Sequence, residues 1–142
     1  MVGVEYVTKT VLVGDYTAQH GETWDDTVIE RKSLADLFSA YTAGYDRERQ
    51  KFLKAVDLKL HFILAIEGSV TEVLKGHHYW NGDTRRESRK SGLAMLRQLC
   101  TVERKYRIGV WYCTSRTEMA LKIQEYFLSA DRLLVPSKEV RT

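Results

Sequence analysis

The sequence is poor in residues that break or staple a chain. Pro136 is the one proline in 142 residues, and no glycine- or serine-rich stretch, low-complexity tract or internal repeat is present. That excludes a solenoid and a string of linked modules, and leaves one unit to about Leu134 followed by a short polar tail over 135–142. The two cysteines, Cys100 and Cys113, form no CxxC and have no histidine at ligand spacing. They read as reduced, half-buried small hydrophobes of a cytosolic protein. The longest apolar run, Phe62 to Ile66, is far short of a bilayer span, and Met1–Asp15 lacks the layout of a signal peptide. The expected location is therefore cytoplasmic or nucleoid-associated, with no membrane contact. Charge of one sign is also scarce: 22 basic against 19 acidic residues leave +3, which permits contact with a polyanion without requiring it.

What is present alternates between strand-like and helix-like patterns. Val4–Val13 is rich in β-branched residues and predicts a strand, and Thr27–Arg31 predicts a second. The polar stretch between them makes the pair an antiparallel hairpin with a long loop. Ser33 and Asp36 have capping-box spacing, with Asp in place of Glu, ahead of a stripe of Leu34, Leu37, Phe38 and Tyr41. A helix over Arg47–Val56 should pack through Phe52, Leu53 and Val56. Leu60–Ile66 and Ile108–Cys113 lack period-two alternation and read as strands covered on both faces. Between them lie a polar, aromatic-dotted loop around His77–Thr84 and a long helix from about Arg86 to Lys105. That helix should bury Leu93, Leu96, Leu99 and Cys100, with Met95 and Val102 at the edge. Ser115 and Glu118 make a full capping box for a last helix with an inner face of Met119, Ala120, Ile123, Tyr126, Phe127 and Ala130. Leu121 and Leu128 lie off that face. Strand, helix, strand, helix with covered strands means an α/β fold with parallel pairings, joined to an N-terminal hairpin.

The chemistry concentrates in Gly14-Asp15-Tyr16 and Glu30-Arg31-Lys32 with Asp36 beyond. Cutting a phosphodiester requires carboxylates that hold a hard cation at the scissile phosphate, and a cationic group that orients the attacking water. Glu30 and Lys32 are two apart on a strand, so both side chains leave one face while Arg31 leaves the other. The hairpin can set Asp15 beside Glu30, and Asp36 on the first helical turn can reach the same pocket. An acid followed by Glu-x-Lys on one strand face resembles the PD-(D/E)xK nucleases.

The fuller pattern, Gly14-Asp15 and then Glu30-Arg31-Lys32-xxx-Asp36, resembles the GD…ERKxxxD signature of the XPF-type structure-specific endonucleases. Lys9–Tyr16 and Phe62–Gly68 are similar to that family's second strand and its buried strand ending in Glu-Gly, so the likeness covers Val4 to about Leu133. It implies a restriction-endonuclease-like mixed sheet flanked by helices, the hairpin carrying the active site. It further implies an endonuclease dependent on Mg²⁺ or Mn²⁺, acting on branched, flap or junction DNA, and a homodimer or paired subunit formed through the C-terminal helices. Asp15 and Glu30 would bind metal, Lys32 would act on the water, Asp36 would support the site and Arg31 would brace it, with Glu67 at a strand end. The silent partners of such assemblies usually lose the Glu-Arg-Lys residues, which this chain keeps; a non-cleaving DNA-binding subunit is the alternative. The family opens with a strand carrying another acid, of the Asp-x-Arg-Glu kind, which is not found ahead of Val4. Both faces of Val4–Val13 carry hydrophobes, so its edge is expected to be covered by a dimer mate, another subunit or upstream residues, and cleavage without that acid is expected to be weak.

Other side chains are weaker candidates. Adjacent His77 and His78 do not easily converge on one ion, and no third ligand is placed for zinc. With Tyr79 and Trp80 they form either a stacking surface for DNA or an anchor for the loop. Arg85, Arg86, Arg89 and Lys90 lead into a predicted helix whose dipole they oppose, and read as either a solvated helix start or phosphate contacts. Arg47, Arg49 and Lys51 are candidates of the same kind, as is Arg31. His20 and Glu22 read as solvent-facing loop residues.

Overall fold

A computed structural model of the chain describes residues 13–81, 84–87 and 90–134. In chain order its elements are β1 (Gln19–His20), β2 (Thr23–Trp24), β3 (Thr27–Ser33), α1 (Leu34–Ala40), α2 (Tyr45–Asp57) and β4 (His61–Glu67). Then follow α3 (Val70–Leu74), β5 (His78–Asn81), β6 (Thr84–Glu87), α4 (Gly92–Tyr106), β7 (Gly109–Cys113) and α5 (Arg116–Leu134). The sheet runs β3-β4-β7 with both pairings parallel, Glu30 opposite Leu64 and Leu64 opposite Val110. This is the mixed α/β, restriction-endonuclease-like architecture expected.

The central strand shows why β4 reads as continuously apolar. Phe62, Leu64 and Ile66 enter one core with Leu37, Phe38, Phe52 and Met95, while Ile63 and Ala65 enter a second with Met119 and Phe127. One face is covered by α1, α2 and α4 and the other by α5, so neither parity can be polar. Phe52 anchors α2 against the Phe62 ring, edge on at 5.4 Å, and against Tyr106 at 5.3 Å.

The predicted hairpin is seen at its closing end. Residues 4–12 of the first strand lie outside the described residues, but Val13 is buried and Tyr16 forms an antiparallel bridge with Ile29. The loop is not plain coil: β1 and β2 pair antiparallel across Gly21 and Glu22. His20 is not solvent-facing, since its Nε2 lies 2.8 Å from Asp25 Oδ2 and its side chain is 9% exposed.

Several expected boundaries and faces need correction. The Tyr79-Trp80 segment is not a loop; it is the hairpin β5–β6, with Tyr79 opposite Arg86 and Trp80 opposite Arg85. Strand formers flanking Asn81-Gly82 carry that signal. The helix predicted from Arg86 begins six residues later, at Gly92. Ser91 caps it, its Oγ accepting from the Ala94 N–H at 3.1 Å, and a Cβ on Gly92 would stand 2.2 Å from the Leu74 carbonyl oxygen. Glycine is therefore required where α4 starts against the end of α3, a short helix with no apolar period long enough to predict it. The buried stripe of α4 is Met95, Leu99, Val102 and Tyr106, while Leu93 and Cys100 are exposed. On α2, Leu53 and Val56 are exposed, and Glu48, Phe52 and Ala55 are buried. Ala120 on α5 is exposed. Cys113 is fully buried, not half-buried.

Candidate active site

Alternation along β3 sorts the Glu-Arg-Lys block onto two faces. Val28, Glu30 and Lys32 turn toward the core under α1 and α2, whereas Ile29 and Arg31 turn toward α5. Gly14 brings Asp15 to this strand. It adopts a left-handed φ of +80°, and a Cβ there would press on the Ile29 carbonyl at 3.3 Å. Without that bulk, the Asp15 and Tyr16 N–H groups both donate to the Ile29 carbonyl, at 2.8 and 2.9 Å. The exposed Asp15 carboxylate then accepts from the Arg31 backbone N–H at 2.8 Å, beside the Glu30–Arg31 peptide.

Glu30 is not alone on its face. Lys51 reaches in from α2 and donates to Glu30 Oε1 at 2.9 Å, and it lies 3.2 Å from both oxygens of Glu48. Lys32 lies 3.3 Å from Glu30 and 3.4 Å from Glu48. Two buried carboxylates and two ammonium groups thus form one balanced cluster, which a site this dry requires. Burial alone would lower the Lys51 ammonium, but the hydrogen bond to Glu30 and the charges of Glu30 and Glu48 outweigh it and raise its pKa. One oxygen of each acid, Glu30 Oε2 and Glu48 Oε2, accepts no hydrogen bond of good alignment. Each of these oxygens still faces an ammonium, Glu30 Oε2 with Lys32 at 3.3 Å and Glu48 Oε2 with Lys51 at 3.2 Å, and carboxylate oxygens are hard donors of the kind that Mg²⁺ or Mn²⁺ takes. Among the described residues no three acidic, histidine or cysteine side chains converge as a ready-made metal cage. That still fits Mg²⁺, which keeps several waters and needs one or two carboxylates.

Neither Glu48 nor Lys51 stands out as a site residue in the sequence, where Lys51 reads as a phosphate contact. The signal was available: Glu48, Phe52 and Ala55 fall at i, i+4 and i+7, which places a carboxylate on the apolar stripe of α2. Such a residue needs a buried partner. Asp36, in contrast, stays outside the cluster. It is exposed on α1, its backbone N–H donating to Ser33 Oγ at 3.1 Å, so half of the expected capping box forms. The box at α5 is shifted by one residue: Ser115 Oγ accepts from the Glu118 N–H, and the Glu118 carboxylate accepts from the Thr114 N–H and hydroxyl.

On the other face of β3, Arg31 Nε lies 3.1 Å from Glu67 Oε1, and Arg116 Nε approaches the second oxygen at 3.5 Å. Of the remaining arginines, Arg47 is exposed on α2 and Arg49 pairs with Asp46 at 3.2 Å. Arg85 and Arg86 belong to a strand, so the helix-dipole argument for them falls away, and Arg89 lies outside the described residues. Lys90 turns inward, donating to the Tyr41 carbonyl at 2.7 Å and to Gln98 Oε1, and burial lowers its pKa.

The family model for the ERCC4 domain matches residues 2–126. The chain belongs to the ERCC4 domain family. That family is the XPF-type nuclease domain, which processes DNA by its structure, so the family reading made from Gly14-Asp15 and the Glu-Arg-Lys block stands. No curated protein matches the chain. No helix among the described residues of this ERCC4 domain is long and apolar enough to cross a membrane.

Tyr41 lies under the cluster with its hydroxyl buried and unbonded. Burial first, then the charges of Glu48 and Glu30, push its pKa far above the ordinary 10.0. Burial likewise pushes Tyr112 up to about 12. The folded chain therefore keeps protons that the unfolded chain releases near 10.0. Their contribution to stability is complete below that pH and is lost as pH rises through the folded values. Urea midpoints should fall steadily as pH is raised above 10, and Tyr41→Phe should flatten the decline without loss of stability at neutral pH. An unchanged slope in Tyr41→Phe would reject this account.

Proposed function

We propose that this ERCC4 domain is a Mg²⁺- or Mn²⁺-dependent endonuclease that hydrolyses DNA phosphodiesters at branched or duplex/single-strand junctions. The observation that carries the reading is the placement of Glu30 and Lys32 on one face of β3, pressed against a second buried acid, Glu48, with Asp15 hydrogen-bonded at the same strand. Glu30 and Asp15 would hold the metal. Bound there, the ion would supply neutralisation of the phosphate's charge and a more acidic water. Lys32, its ammonium held between Glu30 and Glu48, is positioned to orient the water and the phosphate oxygen. Lys51 and Glu48 set the charge and direction of both groups, and the dry wall of Leu37, Phe38 and Tyr41 strengthens every interaction inside. Assembly as a dimer through α4 and α5 belongs to the same reading, with Leu93 on α4 and Leu121 on α5 left exposed.

The test is cleavage of a flap or fork DNA by the purified chain. Mg²⁺ or Mn²⁺ should support nicking and EDTA should stop it. Asp15→Ala should abolish cutting while costing only about 1 kcal/mol of stability, the worth of the single hydrogen bond to Arg31. Full activity in Asp15→Ala would overturn the assignment, and light scattering on the same sample reads the assembly.

A further inference from the structure

Arg31, Glu67 and Arg116 form a cluster at the carboxyl ends of the parallel strands, where Ser33, Glu67 and Cys113 lie side by side and α5 begins. Glu67 is nearly covered, at 14% exposure, whereas Arg31 is 43% and Arg116 78% exposed. One carboxylate is thus shared by two guanidinium groups, one oxygen to each. It neutralises one charge and leaves the other.

A brace between β3 and β4 needs only Arg31. Arg116 adds little to stability, because a guanidinium so exposed, 3.5 Å from its partner, is largely screened by water. It also stands in the first turn of α5, where a cation opposes the helix dipole. Helix stability therefore does not account for it. Both arginines make their nearest approach to Glu67 through Nε. A single carboxylate cannot satisfy two guanidinium forks, and a fork with donors to spare matches the oxygens of a phosphate. Arg31 sits between Glu30 and Lys32 in β3, so this pair lies directly across the strand from the acid cluster.

We propose that Arg31 and Arg116, oriented by Glu67, clamp a backbone phosphate of the DNA next to the one that faces Glu30. The proposal rests on the nuclease reading for its ligand, since it assumes that a phosphodiester backbone crosses this edge of the sheet. Arg31 is a candidate phosphate contact from the sequence alone; what the structure adds is its pairing, through Glu67, with Arg116, for which the sequence suggests no role.

Fluorescence anisotropy with a labelled fork DNA, in EDTA and over a series of salt concentrations, tests the clamp. Arg116→Gln changes an exposed side chain and should leave the circular dichroism spectrum intact. It should weaken binding roughly fivefold to tenfold, independently of DNA sequence, and reduce the slope of log affinity against log salt by about one. Arg104→Gln, the same charge change at an exposed site on α4, should alter neither. Wild-type affinity and slope in Arg116→Gln, or an equal loss in Arg104→Gln, would overturn the clamp. A wild-type chain that binds with this salt dependence yet never cuts with Mg²⁺ or Mn²⁺ overturns the nuclease reading and leaves the clamp standing. A chain that cuts, with Arg116→Gln binding as wild type, overturns the clamp alone.

Discussion

Glu30→Gln is expected to slow cleavage of a fork DNA about a thousandfold, equivalent to roughly 4 kcal/mol, while DNA binding in EDTA holds or tightens. The two effects have opposite signs for one reason. On the proposed assignment the Glu30 carboxylate would lie close to the scissile phosphate, so in the absence of metal it would repel the substrate and its removal would favour binding. With metal present, the same charge would on that assignment be half of the ion's protein ligand set, and an amide oxygen holds a hard cation far more weakly. A residue that served only the fold would behave differently. Glu30 and Glu48 are comparably buried, at 5% and 3%, and share Lys32 and Lys51. A structural role predicts similar falls in thermal midpoint and activity for Glu30→Gln and Glu48→Gln. The metal role predicts similar falls in midpoint with the larger activity loss in Glu30→Gln. Equal activity losses in the two variants would remove Glu30 from its special place.

The parts of this molecule legible in the sequence are those in which one residue's environment is set by its own strand or helix. The parity of Glu30, Arg31 and Lys32 follows from strand geometry, and the two covered strands follow from unbroken apolar runs. The start of the last helix follows from Ser115 and Glu118. What was illegible depends on a contact between distant segments. Nothing near Gly92 says that Leu74 will press on it, so the start of α4 was placed six residues early, at Arg86. The same boundary makes Arg85 and Arg86 look like helix-start cations, whereas both belong to β6. The stripe on α4 was likewise set one notch off, because Leu93, Leu96, Leu99 and Cys100 fit a helical period as well as the buried Met95, Leu99, Val102 and Tyr106 do. Only the position of β4 and β7 chooses between them. Glu48 and Lys51 are the instructive omissions. Lys51 looks like an ordinary surface charge, and although Glu48 falls on the apolar stripe of α2, the pairing of both with Glu30 and Lys32 appears only once α2 has crossed back over β3.

Lys51→Met should cost about 3 kcal/mol of stability in EDTA, and a divalent ion should restore most of it. The ammonium of Lys51 bridges Glu30 at 2.9 Å and Glu48 at 3.2 Å, so the cluster holds two negative and two positive charges. Methionine keeps the length of the stem and its packing but removes the charge, which leaves two buried carboxylates facing Lys32 alone. Losing one partner of a buried ion pair typically costs about 3–5 kcal/mol. The lower figure applies because Lys51 remains 30% exposed and water can enter in its place. If a metal is held at these oxygens as proposed, the ammonium of the wild type would compete with it. The variant should therefore bind Mg²⁺ or Ca²⁺ more tightly, and its thermal midpoint should rise further on titration. An ion present at about 100 times its dissociation constant contributes roughly 2.7 kcal/mol, close to the loss it has to offset. Pairing Lys51→Met with Glu48→Gln returns the cluster to one charge of each sign. That double variant should regain stability in EDTA, and its response to the ion should shrink. If Lys51→Met proves as stable as the wild type, or if the ion raises both midpoints equally, Lys51 is neither the counter-charge of this site nor the rival of its metal.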